Sequence, residues 1–323
     1  MVEIKDVRKN YGDKRAVDGI SFTVNEGEIL GFLGPNGAGK STTLNIITGY
    51  LSADSGTVKI DGTDILEDPI KAKKDIGFLP EIPPLYLEMT VIEYLNFVYD
   101  LKGCKLPRKA HLKEICEVVK IWDVSHRLIK NLSKGYRQRV GIAQALIGNP
   151  KVLIFDEPTI GLDPRQIIEI RNLIRNLGKE HTIILSTHIL PEVQAVCDRI
   201  VVINKGKIVA DEKTEELINA VDSSRKMIAK IVGPEDEVLK ALRSLGGIKT
   251  ADILGKRDTD SVSYLIESQE RIDVRKPLFH LLSGKGWPLI GLEGVELGLE
   301  DIFIKLVGIE KEKAEKKKKG GNK

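Results

Sequence analysis

Cysteine, tryptophan and methionine are scarce in this chain, with three, two and three copies among 323 residues, and aromatic residues reach only 5%. Cys104, Cys116 and Cys197 share no metal-ligand spacing and form no secreted disulfide framework, so a reducing compartment is the default. No stretch approaches the roughly 20 consecutive apolar residues of a membrane-spanning helix, so any membrane role is expected to come through a partner. The opening Met1-Val2-Glu3-Ile4-Lys5-Asp6 lacks the basic-then-apolar layout of a signal peptide. A large excess of one charge is also missing. The formal net charge is +3, too small to point to nucleic acid. What remains is ordinary for a globular chain, 41% hydrophobic and 30% charged, and long enough for two domains.

One short loop organises the rest. Gly34-Pro35-Asn36-Gly37-Ala38-Gly39-Lys40-Ser41 follows the strand-like run Glu28–Leu33 and precedes a helix expected to begin near Thr42. This is a G-x-x-x-x-G-K-[ST] phosphate loop in its strand-then-helix setting. Its glycines let backbone N–H groups turn inward around phosphate oxygens, and the helix N-terminus adds a positive dipole end. Lys40 is placed to reach the β and γ phosphates, and the Ser41 hydroxyl to sit on Mg²⁺.

Upstream, Val2–Val7 and Gly19–Val24 alternate like strands, with Tyr11 and the turn residues Gly12 and Asp13 between them. Tyr11 reads either as a partly exposed strand-end residue or as an aromatic that stacks on a base. Downstream, Ser55–Gly62 signals a hairpin and Asp75–Pro80 a strand. Residues from about Thr90 to Trp122 are helical in pattern, broken at Pro107. Ser133 suits the N-cap of a helix through Ala143 and Leu146, leaving a hydroxyl and backbone N–H groups for an anion. Lys151–Phe155 is a continuous apolar run that fits a strand buried on both faces, and it ends at Asp156-Glu157-Pro158. A helix over about Arg165–Leu177 and the strand Thr182–Thr187 follow, with His188 at the strand's end. Asn204-Lys205-Gly206 reads as a hairpin turn.

From about Asp222 the order becomes βαββαβ, a ferredoxin-like arrangement, with strands near 227–232, 248–254, 261–266 and 288–292. Its helices are expected over 235–245 and 274–283, and a last helix near Leu299–Leu306. No catalytic cluster stands in it, and a regulatory or dimer-contact role is the simplest. The final residues form a polybasic tail, a solvated run that could also contact anionic lipid.

In combination, these segments resemble the nucleotide-binding subunit of an ATP-binding cassette (ABC) transporter. The phosphate loop comes first. Ser133-Lys134-Gly135-Tyr136-Arg137-Gln138 resembles the family signature, Leu153–Glu157 the Walker B strand, Gly161-Leu162-Asp163 the loop after it, and His188 the switch histidine. The resemblance implies an α/β P-loop ATPase domain, a mixed sheet plus helical subdomain, with a smaller C-terminal α+β ferredoxin-like domain. The domains are expected at 1–220 (helical subdomain about 85–150) and 221–308, with a tail at 309–323. It implies ATP and Mg²⁺ as cofactors, with Asp156 holding the ion through its water shell, Glu157 polarising the attacking water and His188 bonding the γ-phosphate. Tyr11 and the segment from Gly34 to Thr42 would bind the nucleotide. Ser133, Gly135 and Asp163 would face ATP bound to a second copy in a head-to-tail homodimer.

Two positions depart from the commonest pattern. Glu81 stands where glutamine usually contacts the metal or the water and faces the transport partner. Lys134 and Tyr136 replace a glycine and a glutamine of the signature. With the appended C-terminal domain and Gly298–Phe303, these departures resemble the branch that powers ABC-2-type permeases in export, including multidrug export and gliding motility. A cytoplasmic location, peripheral on the inner face of the membrane, follows from that resemblance. The alternatives are a soluble mechanochemical ATPase acting on ribosome or DNA, and a regulatory protein that binds ATP without turning it over. The segment from Ser41 to Ser133 is too short for the coiled coil of the DNA-acting members, and a single cassette is present where the translation factors carry two.

Overall fold

The structure, a computed structural model, describes residues 1–216, 226–256, 260–269 and 272–294. It divides into two compact units, Met1–Thr214 and Glu215–Lys323.

The first unit contains two sheets. One is antiparallel, in the order β2-β1-β4-β5, from β1 (Val2–Tyr11), β2 (Lys14–Val24), β4 (Ser55–Ile60) and β5 (Thr63–Asp64). The other runs β10-β9-β3-β8-β7-β6 and comprises β3 (Ile29–Leu33), β6 (Ile76–Leu79), β7 (Val152–Asp156), β8 (Thr182–Thr187), β9 (Arg199–Asn204) and β10 (Lys207–Lys213). Its first five strands in the chain are mutually parallel, and β10 is an antiparallel edge. Every residue of β3, β7 and β8 is buried, as expected of central parallel strands with apolar middles. A hydrophobic core lies between the two sheets, where the rings of Phe22 and Phe32 stack at 5.5 Å.

The α-helices of this unit include α1 (Lys40–Ile47), α2 (Pro69–Lys74), α3 (Val91–Leu101), α4 (Arg108–Val118), α5 (Lys134–Leu146), α6 (Pro164–Leu177) and α7 (Leu190–Val196). α1 starts two residues before the expected Thr42. Gly39 serves as its N-cap at φ 113°, a left-handed conformation that lets Lys40 open the helix directly. α3 carries a full capping box, Thr90 and Glu93 satisfying each other's backbone N–H. α3 and α4 are separate helices split at Pro107, as the sequence indicates.

The second unit contains β11 (Lys226–Ile231), α8 (Glu235–Ser244), β12 (Ile248–Lys256), β13 (Val262–Ser268), α9 (Arg275–Gly284) and β14 (Leu289–Gly294). This is the expected βαββαβ order, folded into an antiparallel sheet β12-β13-β11-β14. Val238 and Leu242 of α8 and Leu278 and Leu282 of α9 bury against Ile231, Tyr264 and Ile266, so this unit has its own core. The helix expected near Leu299–Leu306 and the polybasic tail lie outside the described residues. Among the described residues no helix is long and apolar enough to cross a membrane.

Candidate functional site

The phosphate loop joins β3 to α1 at the carboxyl end of the parallel sheet, where open α/β sheets place ligands. The loop is backed by residues far away in sequence. Gly206 donates its N–H to the Ala38 carbonyl at 2.8 Å, and a Cβ on Gly39 would stand 2.6 Å from the Ala16 carbonyl oxygen. A side chain at Gly39 would therefore displace the loop from β2 and the β9–β10 turn. Lys40 is only 6% exposed. Its ammonium donates to the Gly34 carbonyl at 2.7 Å and stands 3.6 Å from Glu157 Oε1.

β7 delivers the two acids. Asp156 is its last residue, and Glu157 follows with φ 50°, a left-handed backbone that a non-glycine residue holds only under constraint from its surroundings. That turn is pinned by the Glu157 N–H bond to the Ser186 carbonyl at 2.9 Å. The Glu157 carboxylate accepts from His188 Nδ1 at 2.9 and 3.0 Å, one bond to each oxygen. Facing a carboxylate, Nδ1 carries the proton, which leaves Nε2 for another partner.

The residues present fit a hydrated divalent cation. Asp156 Oδ1 is buried and makes no hydrogen bond among the described residues, nor does Ser186 Oγ, its register partner on β8. A buried orphan oxygen is costly unless a ligand or water completes it. Among the described residues no three His, Cys, Asp or Glu side chains form a metal cage. An ion here would draw further ligands from phosphate oxygens and water, as Mg²⁺ characteristically does. Ser41 and Glu81 offer further oxygens at the pocket wall.

A cavity of about 480 Å³ gathers most of the expected residues. Asn36, Gly37, Gly39, Lys40, Ser41 and Thr42 line it together with Tyr11, Glu81, Glu157 and His188. Tyr11 is 51% exposed, at the end of β1 across a tight turn from Lys14. It is thus both a strand end and a pocket residue. Lys14, Ala16 and Ile160 also line the cavity, and sequence reasoning passed over them. Only the spacing of Lys14 from Tyr11 across the Gly12-Asp13 turn could have signalled the first. Gly34, Pro35 and Ala38 shape the loop without lining the cavity.

Ser133, Gly135 and Asp163 do not line this pocket. Ser133 caps α5, its hydroxyl oxygen accepting the Tyr136 N–H at 3.4 Å. The cap, as the sequence indicates, uses an oxygen lone pair, so the group retains its O–H for an anion. Asp163 caps α6 by accepting the Gln166 N–H at 2.9 Å. The two segments pack together within one chain: the Gln166 side chain occupies the space beside Gly135, and a Cβ on Gly161 would collide with the Lys134 amine. The unusual Lys134 thus leans on the loop that leads to Asp163.

A buried lysine on a phosphate loop, a strand-end acid with an orphan oxygen and a second acid paired to histidine are the parts of a P-loop nucleoside-triphosphate hydrolase. The ABC transporter family model matches residues 17–160. The chain is 33% identical over 317 residues, 98% of each chain, to the uncharacterized ABC transporter ATP-binding protein YhcH of Bacillus subtilis (strain 168). It is 31% identical to the bacitracin transport ATP-binding protein BcrA of Bacillus licheniformis, over 95% of this chain and 97% of that one. The dimeric structure of a post-hydrolysis state of the ATP-binding cassette MJ0796, bound to ADP and Pi, superposes with a TM-score of 0.61. That match is at 28% identity and covers 66% of this chain and 99% of that one. The chain belongs to the ABC transporter ATP-binding proteins, and it is an ATPase.

Proposed function

We propose that this chain powers an ABC-2-type exporter, binding and hydrolysing ATP in a head-to-tail homodimer that drives a separate membrane permease. The observation that carries the reading is the convergence of Lys40, Glu157 and His188 in one cavity. It is supported by likeness along nearly the whole chain, second unit included, to a bacitracin transport ATP-binding protein. Tyr11 stacks on the adenine, and the loop from Gly34 to Thr42 wraps the phosphates with Lys40 on the β and γ oxygens. Glu157 takes the proton of the attacking water, and His188 turns Nε2 toward the γ-phosphate. Ser41 and Asp156, with Glu81 nearby, would hold a Mg²⁺ ion, which would supply neutralisation of the phosphate charge. Ser133, Gly135 and Asp163 serve the ATP of the second copy, which accounts for their standing outside the pocket of their own chain.

The permease docks beside Glu81, where Ile82 (82% exposed), Tyr86, Leu87 and Phe97 present apolar surface. On this reading the protein sits on the inner face of the cytoplasmic membrane. The unit from about 221 to 308 is a regulatory or dimer-contact domain, and the tail 309–323 a contact for anionic lipid; no nucleic acid partner is needed. The test is purification from native membranes in mild detergent, followed by mass spectrometry and ATPase assay. A stoichiometric multi-span protein is expected. Ribosomal proteins or nucleic acid in its place would overturn the export reading and leave the ATPase standing.

A further inference from the structure

A second network lies directly behind the catalytic acid. Glu192, in the first turn of α7, is only 2% exposed, and its two oxygens face two threonines. Thr159 Oγ1 donates to Oε1 at 2.5 Å, and Thr187 Oγ1 donates to Oε2 at 3.0 Å. Thr159 lies two residues beyond Glu157 and opens the loop that runs to Asp163. Thr187 is the last residue of β8 and precedes His188. One buried carboxylate therefore joins the loop after the catalytic acid to the strand that carries the switch histidine.

Thr187 has a choice of acceptors. Its oxygen accepts the Ile189 N–H at 3.1 Å, and its single proton faces Glu192 Oε2 at 3.0 Å and Glu157 Oε2 at 3.3 Å. A proton given to Glu192 is withheld from Glu157. Glu157 Oε2 then bears only the His188 bond and keeps a lone pair for water. Without Glu192 the hydroxyl would turn to Glu157 and occupy the oxygen on which the water's proton is to arrive.

We propose that Glu192 is a positioning residue: it holds the Thr187 proton away from Glu157 and, through Thr159, fixes the loop toward Asp163. The proposal rests on Glu157 being the group that takes the proton of the attacking water.

The test measures kcat, KM and ATP affinity of the full chain for E192A, T187V, the double variant E192A/T187V and E157Q. E192A is expected to lower kcat about tenfold while KM and Kd for ATP stay within about twofold, because the interaction acts on the attack and not on binding. Removing the competing donor should reverse the effect, so that the double variant turns over faster than E192A. An unchanged kcat in E192A, a matching loss of ATP affinity, or simple addition of the two defects would show that Glu192 only packs. Should E192A not fold, E192Q keeps the side-chain volume and is judged by the same kcat-against-KM split and the same reversal. E157Q separates the two assignments. Normal turnover in E157Q removes the base itself, whereas an inactive E157Q beside an indifferent E192A removes only the role of Glu192.

Discussion

Lys40 and Glu157 are both nearly sealed from water and stand 3.6 Å apart, a cation and an anion whose other partners include backbone carbonyls, an imidazole and the Thr187 hydroxyl. A buried charge left without its partner is costly, so the lysine is poised to exchange its carbonyl contacts for phosphate oxygens. Lys40→Ala should weaken ATP binding at least about a hundredfold, the scale of two lost charge-assisted hydrogen bonds; equilibrium nucleotide titration reads it directly. Glu157→Gln retains the shape but cannot take a proton. Turnover should fall by about a hundredfold or more with ATP binding intact, and the variant should accumulate as an ATP-bound dimer. Light scattering in saturating Mg-ATP checks the dimer, and a persistent monomer would contradict the sandwich.

At the scale of elements, helix ends are tied to one another by single side chains. Lys102, the C-cap of α3, donates to the carbonyls of Gln144, Ala145 and Ile147 at 3.2, 3.2 and 2.9 Å, and so closes the end of α5. Burial lowers its ammonium pKa to about 8, with the Cys104 thiol acting in the opposite direction. The unfolded side chain titrates near 10.5, so between pH 8 and 10.5 the unfolded chain binds more protons than the folded one. The burial cost is therefore complete below pH 8 and is relieved as pH rises through this window. The stability difference between wild type and Lys102→Met should move in favour of wild type over that range, by up to about 3 kcal/mol. Denaturant titrations at pH 7, 9 and 10.5 (~25 °C) would measure it, and a pH-independent difference would show that Lys102 keeps an ordinary proton affinity. Arg139 makes a similar tie, bonding Glu169 of α6 at 2.6 Å and the Val119 carbonyl at 2.9 Å, and thereby holds α5 between neighbouring helices.

For the whole molecule, the two units keep separate cores, and every described residue that lines the nucleotide cavity comes from the first. Removing the chain from Asp222 onward should therefore leave ATP affinity within about threefold of the full chain, since all the described lining residues are kept. Dimer affinity or coupling to the permease is where the deletion should register, and sedimentation with and without ATP would detect it. Loss of nucleotide binding in a folded fragment would mean that the second unit supports the site.

The sequence by itself determined the chemistry that depends on short stretches of chain. Lys40 and Ser41 in their loop, Asp156 and Glu157 at the end of an apolar run, Ser133 at the start of its helix and the βαββαβ order are each legible because loop, strand and cap preferences act over a few residues. What only the tertiary structure decided are the meetings of residues far apart in the chain. Tyr11 reaches the pocket because a tight turn sets the end of β1 over the phosphate loop, and Lys14 comes with it. β1, β2, β4 and β5 form a sheet of their own, which alternation alone did not separate from the parallel one. Lys134 rests against Gly161, and Glu192 reaches Thr159 and Thr187, through helix packing that no local pattern encodes. Local rules place a side chain on an element, but its partners are set when apolar faces bury against one another and bring buried polar groups within bonding distance.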